Sequence, residues 1–315
     1  GNDIDGEAAG DESGCSVSLS SDGHTVVIGS PGYSTGGVNG FYAGMARVYT
    51  YNGSSWNQLG QDIGPGNGGS GDGRSVSISD DGNTIAIGRP FEGTATNPSY
   101  GVVKIFNYDG TIWNEVSPYA GILGEGNEDG SGYSVSLSSD GNAVAIGAPN
   151  NDGNGTNSGH VRIYNYNGSS WTQLGNDIDG EAAQDLSGGS VSLSSDGNTV
   201  AIGAQKNDGN GPDAGHVRIY NWNGTSWVQM GQDIDGEASS DHSGYSVSLS
   251  SDGNSLSIGS PDNNNMNGTN AGHVRIYNYN GISWNQLGNN IDGETSNDYN
   301  GTSVSLSSDG NTVAI

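Results

Sequence analysis

One octapeptide constrains everything this chain can fold into. Ser-Val-Ser-Leu-Ser-Ser-Asp-Gly begins at Ser16, Ser134, Ser190, Ser246 and Ser303, with a close variant at Ser75. Its aspartates, Asp22, Asp81, Asp140, Asp196, Asp252 and Asp309, lie 59, 59, 56, 56 and 57 residues apart. A period near 57 is long enough for one four-stranded sheet, and such a unit cannot bury its faces alone. The chain is therefore expected to be one repeat assembly over 1–315. It reads as five full repeats, over about 15–62, 74–121, 133–177, 189–233 and 245–290, and half of a sixth over 302–315.

The third repeat is the clearest. Ser134 to Ser138 alternates Val135 and Leu137 with serines, and Asp140-Gly141 supplies a tight hairpin. A second strand over Ala143 to Ile146 is expected to stop at Gly147-Ala148-Pro149, because proline cannot donate to a ladder. A polar loop leads into a third strand, Gly159 to Tyr164, and Asn167-Gly168 turns the chain into a fourth carrying Trp171 and Leu174. Short alternating strands bounded by turn chemistry are the signature of an all-β propeller with four-stranded blades. With only 31% hydrophobic residues and 57 glycines, composition alone would also fit disorder. The regular spacing of apolar runs excludes it.

The tryptophans Trp56, Trp113, Trp171, Trp227 and Trp284 keep the same period and are expected to pack between blades. Five of the eight basic residues, Arg47, Lys104, Arg162, Arg218 and Arg275, share one place in the third strand. In so acidic a chain this predicts a repeated pairing with a local carboxylate, the hairpin aspartate being one candidate. Cys15 fills the slot held by Tyr133 and Tyr245, which predicts a partly buried small side chain. With one cysteine there is no internal disulfide.

A net charge of −27, from 35 acidic and 8 basic residues, excludes nucleic acid as a partner, since a phosphate backbone would repel this surface. No apolar run approaches a membrane span, so membrane insertion is not expected. The first residue falls in mid-repeat, which reads as a processed or partial segment. Six Asn-x-Ser/Thr sequons, at Asn52, Asn154, Asn167, Asn223, Asn267 and Asn300, are N-glycosylation acceptors in a secretory context.

Gly132-Tyr133-Ser134-Val135 followed by Ile146-Gly147-Ala148-Pro149 resembles the FG-GAP repeat of the integrin alpha-chain head and related extracellular propellers. Gly29-Ser30-Pro31 and Gly259-Ser260-Pro261 are close versions; Gly88-Arg89-Pro90 and Gly203-Ala204-Gln205 are looser. The resemblance implies exposure at the cell surface or outside the cell, a role in adhesion or protein binding, and calcium in some blades. It also implies a six- or seven-bladed ring or a longer array. In the family the calcium loop joins the first two strands. Here that connection is Ser-Asp-Gly-Asn, too short to wrap the ion. The half-repeat at the end would need strands from elsewhere in a longer chain or from a neighbouring molecule.

The best candidate site is the connector between repeats. Asp3, Asp5, Glu7 and Asp11 occupy positions 1, 3, 5 and 9 of a loop, and Asp177, Asp179, Glu181 and Asp185 repeat the spacing. So do Asp233, Asp235, Glu237 and Asp241, while Asp292, Glu294 and Asp298 follow Asn290 in a near copy. Calcium takes six to eight hard oxygen ligands, of which such a loop offers four besides its carbonyls. A solvated acidic turn whose first aspartate caps backbone amides is the competing reading. The loops Asn151-Asp152-Gly153-Asn154 and Asn207-Asp208-Gly209-Asn210 are weaker metal candidates and read first as turns.

No unique nucleophile, base or acid pair breaks the symmetry, so no catalytic residue is assigned. His160, His216 and His273 recur at one strand position and read as packing residues. The divergent loops of the first two repeats bring Tyr33, Phe41, Tyr42, Phe91 and Tyr100 toward one rim, as a partner surface or as drift in a tolerant repeat. The expected function is a non-enzymatic extracellular adhesion or filament module, binding a protein or glycan at the cell surface or itself. A lectin-like propeller is the alternative, and a propeller-borne polysaccharide-active enzyme a remote one.

Overall fold

The computed structural model describes residues 2–34, 43–64, 70–93, 99–118 and 120–315. All regular structure among them is β. The first blade is β1 (Ser16–Leu19), β2 (Thr25–Ser30), β3 (Met45–Tyr51) and β4 (Trp56–Gln58). The second is β5 (Ser75–Ile78), β6 (Thr84–Arg89), β7 (Val102–Tyr108) and β8 (Trp113–Glu115), with β9 (Ile122–Leu123) added from the connector. The third is β10 (Ser134–Leu137), β11 (Ala143–Ala148), β12 (His160–Tyr166) and β13 (Trp171–Gln173), with β14 (Ile178–Asp179). The fourth is β15 (Ser187–Leu193), β16 (Thr199–Ala204), β17 (His216–Trp222) and β18 (Trp227–Gln229), with β19 (Ile234–Asp235). The fifth is β20 (Ser246–Leu249), β21 (Ser255–Ser260), β22 (His273–Tyr279) and β23 (Trp284–Gln286), with β24 (Ile291–Asp292); β25 (Ser305–Leu306) and β26 (Val313–Ala314) form the half-blade.

Each full blade runs in simple meander order, as β15-β16-β17-β18 does. These are the four-stranded blades of a β-propeller. In blades two to five the start of the acidic connector returns as a two-residue strand on the third strand, so His216 pairs with Asp235 and Val217 with Ile234. The second strand runs further than expected, through Ala148 in β11, and Pro149 ends it.

The chain divides into two compact units, residues 1–148 with 164–172, and residues 149–163 with 173–315. In the first, Val27, Val48, Val76, Ile85, Ile87 and Trp113 form one core between the sheets of blades one and two, and Ile105, Val135, Ile146 and Trp171 belong to another. In the second, Ile219, Val247, Leu256, Ile258 and Trp284 pack between blades four and five. Of the five periodic tryptophans, Trp113, Trp171 and Trp284 are buried in these cores, while Trp56 and Trp227 are half-buried. The indole N–H of Trp113 donates to the Leu59 carbonyl at 2.9 Å, that of Trp227 to Leu174 at 2.8 Å and that of Trp284 to Met230 at 2.9 Å. These three tryptophans thus tie their blades to the preceding ones.

Blades also meet through their inner strands. Ser192 Oγ accepts from the Leu249 N–H at 2.9 Å, and the Ser190 hydroxyl donates to the Gly244 carbonyl at 2.7 Å. A Cβ at Gly203 would collide with that same carbonyl, which is why the second strand carries glycine there. The serines on the polar face of the octapeptide are therefore interblade ties. On β1 the apolar residues Val17 and Leu19 are 60% and 57% exposed, whereas their counterparts Val76 and Ile78 are both 7% exposed. Cys15, just before β1, is exposed rather than partly buried, with the Arg74 guanidinium of blade two donating to its Sγ at 3.3 Å.

Candidate functional site

The two-residue strand of each connector sets where its carboxylates go, because alternate residues of a strand point to opposite faces. Asp233, just before β19, turns toward the third strand of its own blade. Arg218 there donates to Asp233 through Nε at 3.0 Å and through Nη2 at 2.8 Å. The same guanidinium also pairs with Glu181 of the preceding connector. One arginine thus clasps two connectors, and bidentate pairing makes the clasp directional. Blade one repeats it: Arg47 donates to Asp62 at 2.8 Å and 2.9 Å and pairs with Glu7. In blade three Arg162 donates to Asp177 at 3.3 Å. Blade two varies the theme, with Lys104 reaching Glu115 at 3.1 Å and Arg89 pairing with the fully buried Asp72 at 2.9 Å.

The arginine partner is therefore not the hairpin aspartate. Asp196, in the hairpin of blade four, is already taken by its own turn. Its Oδ1 accepts from the Ser194 hydroxyl at 2.7 Å and from the Asn198 backbone at 2.9 Å, while Ser194 Oγ accepts from the Thr199 N–H at 2.9 Å. The equivalent bonds from Ser307 and Asn311 hold the carboxyl of Asp309 down at about 2. Local closure within five residues leaves that carboxylate no reach toward the third strand.

The four carboxylates of one connector go to different partners. Asp177 meets Arg162, and Glu181 meets Arg218. Asp185 is 3% exposed and accepts from the Ala182 N–H at 3.0 Å and from Asn207 Nδ2 at 2.9 Å. Asp179 stands exposed beside Gly153. Asp241 and Asp11 likewise cap Ala238 and Ala8, at 2.8 Å and 2.9 Å, and exposed Asp298 caps Glu294 and Thr295 at 2.8 Å and 2.7 Å. The capping expected of an acidic turn is present, but the last aspartate performs it. Asp5, Glu7 and Asp11 do line one small crevice with Arg47; Asp3 is not among its lining residues.

Among the described residues of the second unit, Glu181, His216 and Asp233 also converge, with ligand atoms all within 4.8 Å of one another. His216 is 3% exposed. Burial, then the charge of Arg218, pushes its imidazole below the ordinary value of 6.5. Arg218 holds Asp233 below the ordinary carboxylate range against the opposing effect of burial. The histidines are buried as expected, but they line the clasp rather than an apolar core.

Blade five departs from the pattern because Asn290 stands where a clasp aspartate would. Asn290 Nδ2 donates to Glu237 at 3.0 Å. Arg275 turns away to donate to the Asp235 carbonyl at 2.8 Å and the Ser243 hydroxyl at 3.0 Å. Asp292 is exposed in β24, opposite His273 in register.

Residues 125–164, spanning the inner strands of blade three and the start of its third, match the FG-GAP repeat family. The chain is a β-propeller that carries an FG-GAP repeat in its third blade. No curated protein matches it at a significant level. The Gly-Ala-Pro element of this repeat is the end of the second strand and its turn.

The other loops are built around the connectors. Asn154, Asn210 and Asn267 each donate Nδ2 to a connector carbonyl, of Gly180, Gly236 and Gly293, at 2.9, 2.9 and 2.7 Å. The loops that carry them are turns fastened to the site. Two of the sequon asparagines, Asn154 and Asn267, thus have their amide nitrogen engaged, and Asn300 donates to Ile291 at 2.9 Å. Asn52, Asn167 and Asn223 are exposed at hairpin turns. Of the rim aromatics, Phe91 is 53% exposed and Tyr33 and Tyr100 are half-buried. Phe41 and Tyr42 lie outside the described residues. Among the described residues no helix is long and apolar enough to cross a membrane.

Proposed function

We propose that this FG-GAP propeller is a non-enzymatic surface or adhesion module that acts outside the cell by presenting loops on a rigid stack of blades. The observation that carries the reading is the fate of the recurring charged residues. Glu181, Asp233, His216 and Arg218 saturate one another between blades. Such groups serve stiffness, which leaves the variable loops of the first two blades as the asymmetric surface. The exposed ring of Phe91 and the flanking Tyr33 and Tyr100 would contact a protein or glycan partner. Calcium enters as an added stiffener at the crevice of Asp5, Glu7 and Asp11, where three connector carboxylates share one space.

The test is attachment of beads coated with the protein to cell surfaces, with Phe91→Ala and Tyr33→Ala as variants. Loss of attachment in both variants is expected. Unchanged attachment, or turnover of an acidic polysaccharide by the wild-type protein, would sink the reading. A glycan array separates the lectin-like alternative from protein binding. Self-association is a second reading, favoured by the exposed Val17 and Leu19 on β1. It predicts concentration-dependent assembly that Val17→Asp abolishes.

A further inference from the structure

The outer edge of blade four leaves open a position that the molecule itself fills in blades two and five. In an antiparallel pair, residues outside the hydrogen-bonded rings point their N–H and C=O away from the partner strand. Trp227 pairs with Trp222, and the bond between them and the turn runs from the Asn223 N–H to the Ser226 carbonyl. The N–H and C=O of Trp227 therefore face outward from β18, an edge strand. Trp113 and Trp284 occupy the same place in β8 and β23.

At those two positions a glutamine from the preceding connector covers the edge. Gln61 Nε2 donates to the Trp113 carbonyl at 2.7 Å, and its Oε1 accepts from the Trp113 N–H at 3.0 Å. Gln232 does the same to Trp284, at 2.9 Å and 3.3 Å. A primary carboxamide fits because its donor and acceptor lie side by side. In blade four the corresponding residue is Asn176, one methylene shorter, and it makes no hydrogen bond to Trp227. What remains is a cleft of about 320 Å³, with Asn176, Asp177 and Asp179 on one wall and Tyr220, Ser226 and Trp227 on the other.

We propose that this cleft binds the side-chain carboxamide of a glutamine presented by a partner peptide or protein. The carboxamide would take the bidentate position on Trp227 that Gln61 and Gln232 hold on their own tryptophans. The exposed Asp179, beside the Arg162-paired Asp177, favours an N–H donor and repels a glutamate of the same shape. The Trp227 ring is no free platform for a sugar: it packs on Trp222 at 5.5 Å between centroids, and its indole N–H is bonded to Leu174. The cleft shares no residue with the rim aromatics, so its failure would leave the adhesive reading standing.

The test follows the backbone amide resonances of Trp113, Trp227 and Trp284 in the full chain during titration with Nα-acetylglutamine N-methylamide. Trp227 is expected to shift saturably while the other two stay still. The glutamate analogue is expected to bind at least about tenfold more weakly, the factor that one lost hydrogen bond to a charged or polar group produces. Asn176→Gln should rebuild the internal bridge and remove the response. Gln232→Asn should open a second site and make Trp284 responsive. A still Trp227 resonance, an undiminished response in Asn176→Gln, or a shift driven by N-acetylglucosamine and not by the glutamine probe would overturn the proposal.

Discussion

Arg218 holds Asp233 from two nitrogens, at 3.0 Å and 2.8 Å, fifteen residues away along the chain and in the same blade. Its second carboxylate, Glu181, comes from the blade before. The pair therefore reports on two distances at once: the return of the connector onto its own sheet, and the stacking of one blade on the next.

Removing the guanidinium should cost more than removing either acid. Arg218→Ala leaves two facing carboxylates, and a loss of roughly 1–3 kcal/mol is expected from breaking charged hydrogen bonds at a partly exposed site. Arg275→Ala, which breaks bonds to a carbonyl and a hydroxyl, should cost less. Urea denaturation of the two variants checks the order; equal losses would show that the clasp contributes nothing beyond packing.

Acid should destabilise the protein in two steps. Burial, then Arg218 and Arg275 respectively, depress His216 and His273 below 6.5. Above 6.5 both are neutral in folded and unfolded chains alike, and their contribution is intact. As pH falls below 6.5 the unfolded chain takes up protons first, and stability is lost toward the folded values. Asp62 is lowered mainly by its bonds from Arg47, and Asp252 by the Ser250 hydroxyl. Their contribution is present above 3.8 and lost as pH falls through the folded values. Melting temperature followed from neutral to acid pH should show both steps, and replacing His216 and His273 with glutamine should remove only the first.

Trp284→Phe should cost about 1 kcal/mol more than Trp171→Phe. Both rings are buried, but only the indole of Trp284 donates to a carbonyl of the neighbouring blade, while that of Trp171 has no partner. Denaturation midpoints of the two variants give the comparison, and a reversed order would refute an interblade role for the indole bond.

Calcium at the first connector predicts that excess chelator lowers the melting temperature and that Asp5→Asn removes the chelator's effect. A melt unchanged by chelator in the wild type would leave the stiffening of the connectors to their protein contacts, the guanidinium clasps among them.

Strand order and blade size were legible in the sequence because they follow from local chemistry. The octapeptide places its apolar residues on one face, and Asp-Gly closes the hairpin within four residues, with Gly141 at φ 69°. The tryptophan period gave the interblade core. The partners of the acidic residues were not legible in the same way. Asp177, Asp179 and Glu181 look equivalent along the chain, yet the two-residue strand β14 sends them to different neighbours. The hairpin aspartate looked available to an arginine only because its serine partner is invisible without the turn geometry.

By itself the sequence determined the unit of construction: a four-stranded antiparallel blade, its turns, its polar and apolar faces, and the number of repeats. Those are set by contacts within a few residues and by the two-residue period of a strand. Tertiary structure alone decided which carboxylate meets which cation, and that Asn176 leaves open the edge that Gln61 and Gln232 close. Such choices depend on residues 15 to 52 apart along the chain being brought within a single hydrogen bond, and at the blade edge one methylene is enough to change the outcome.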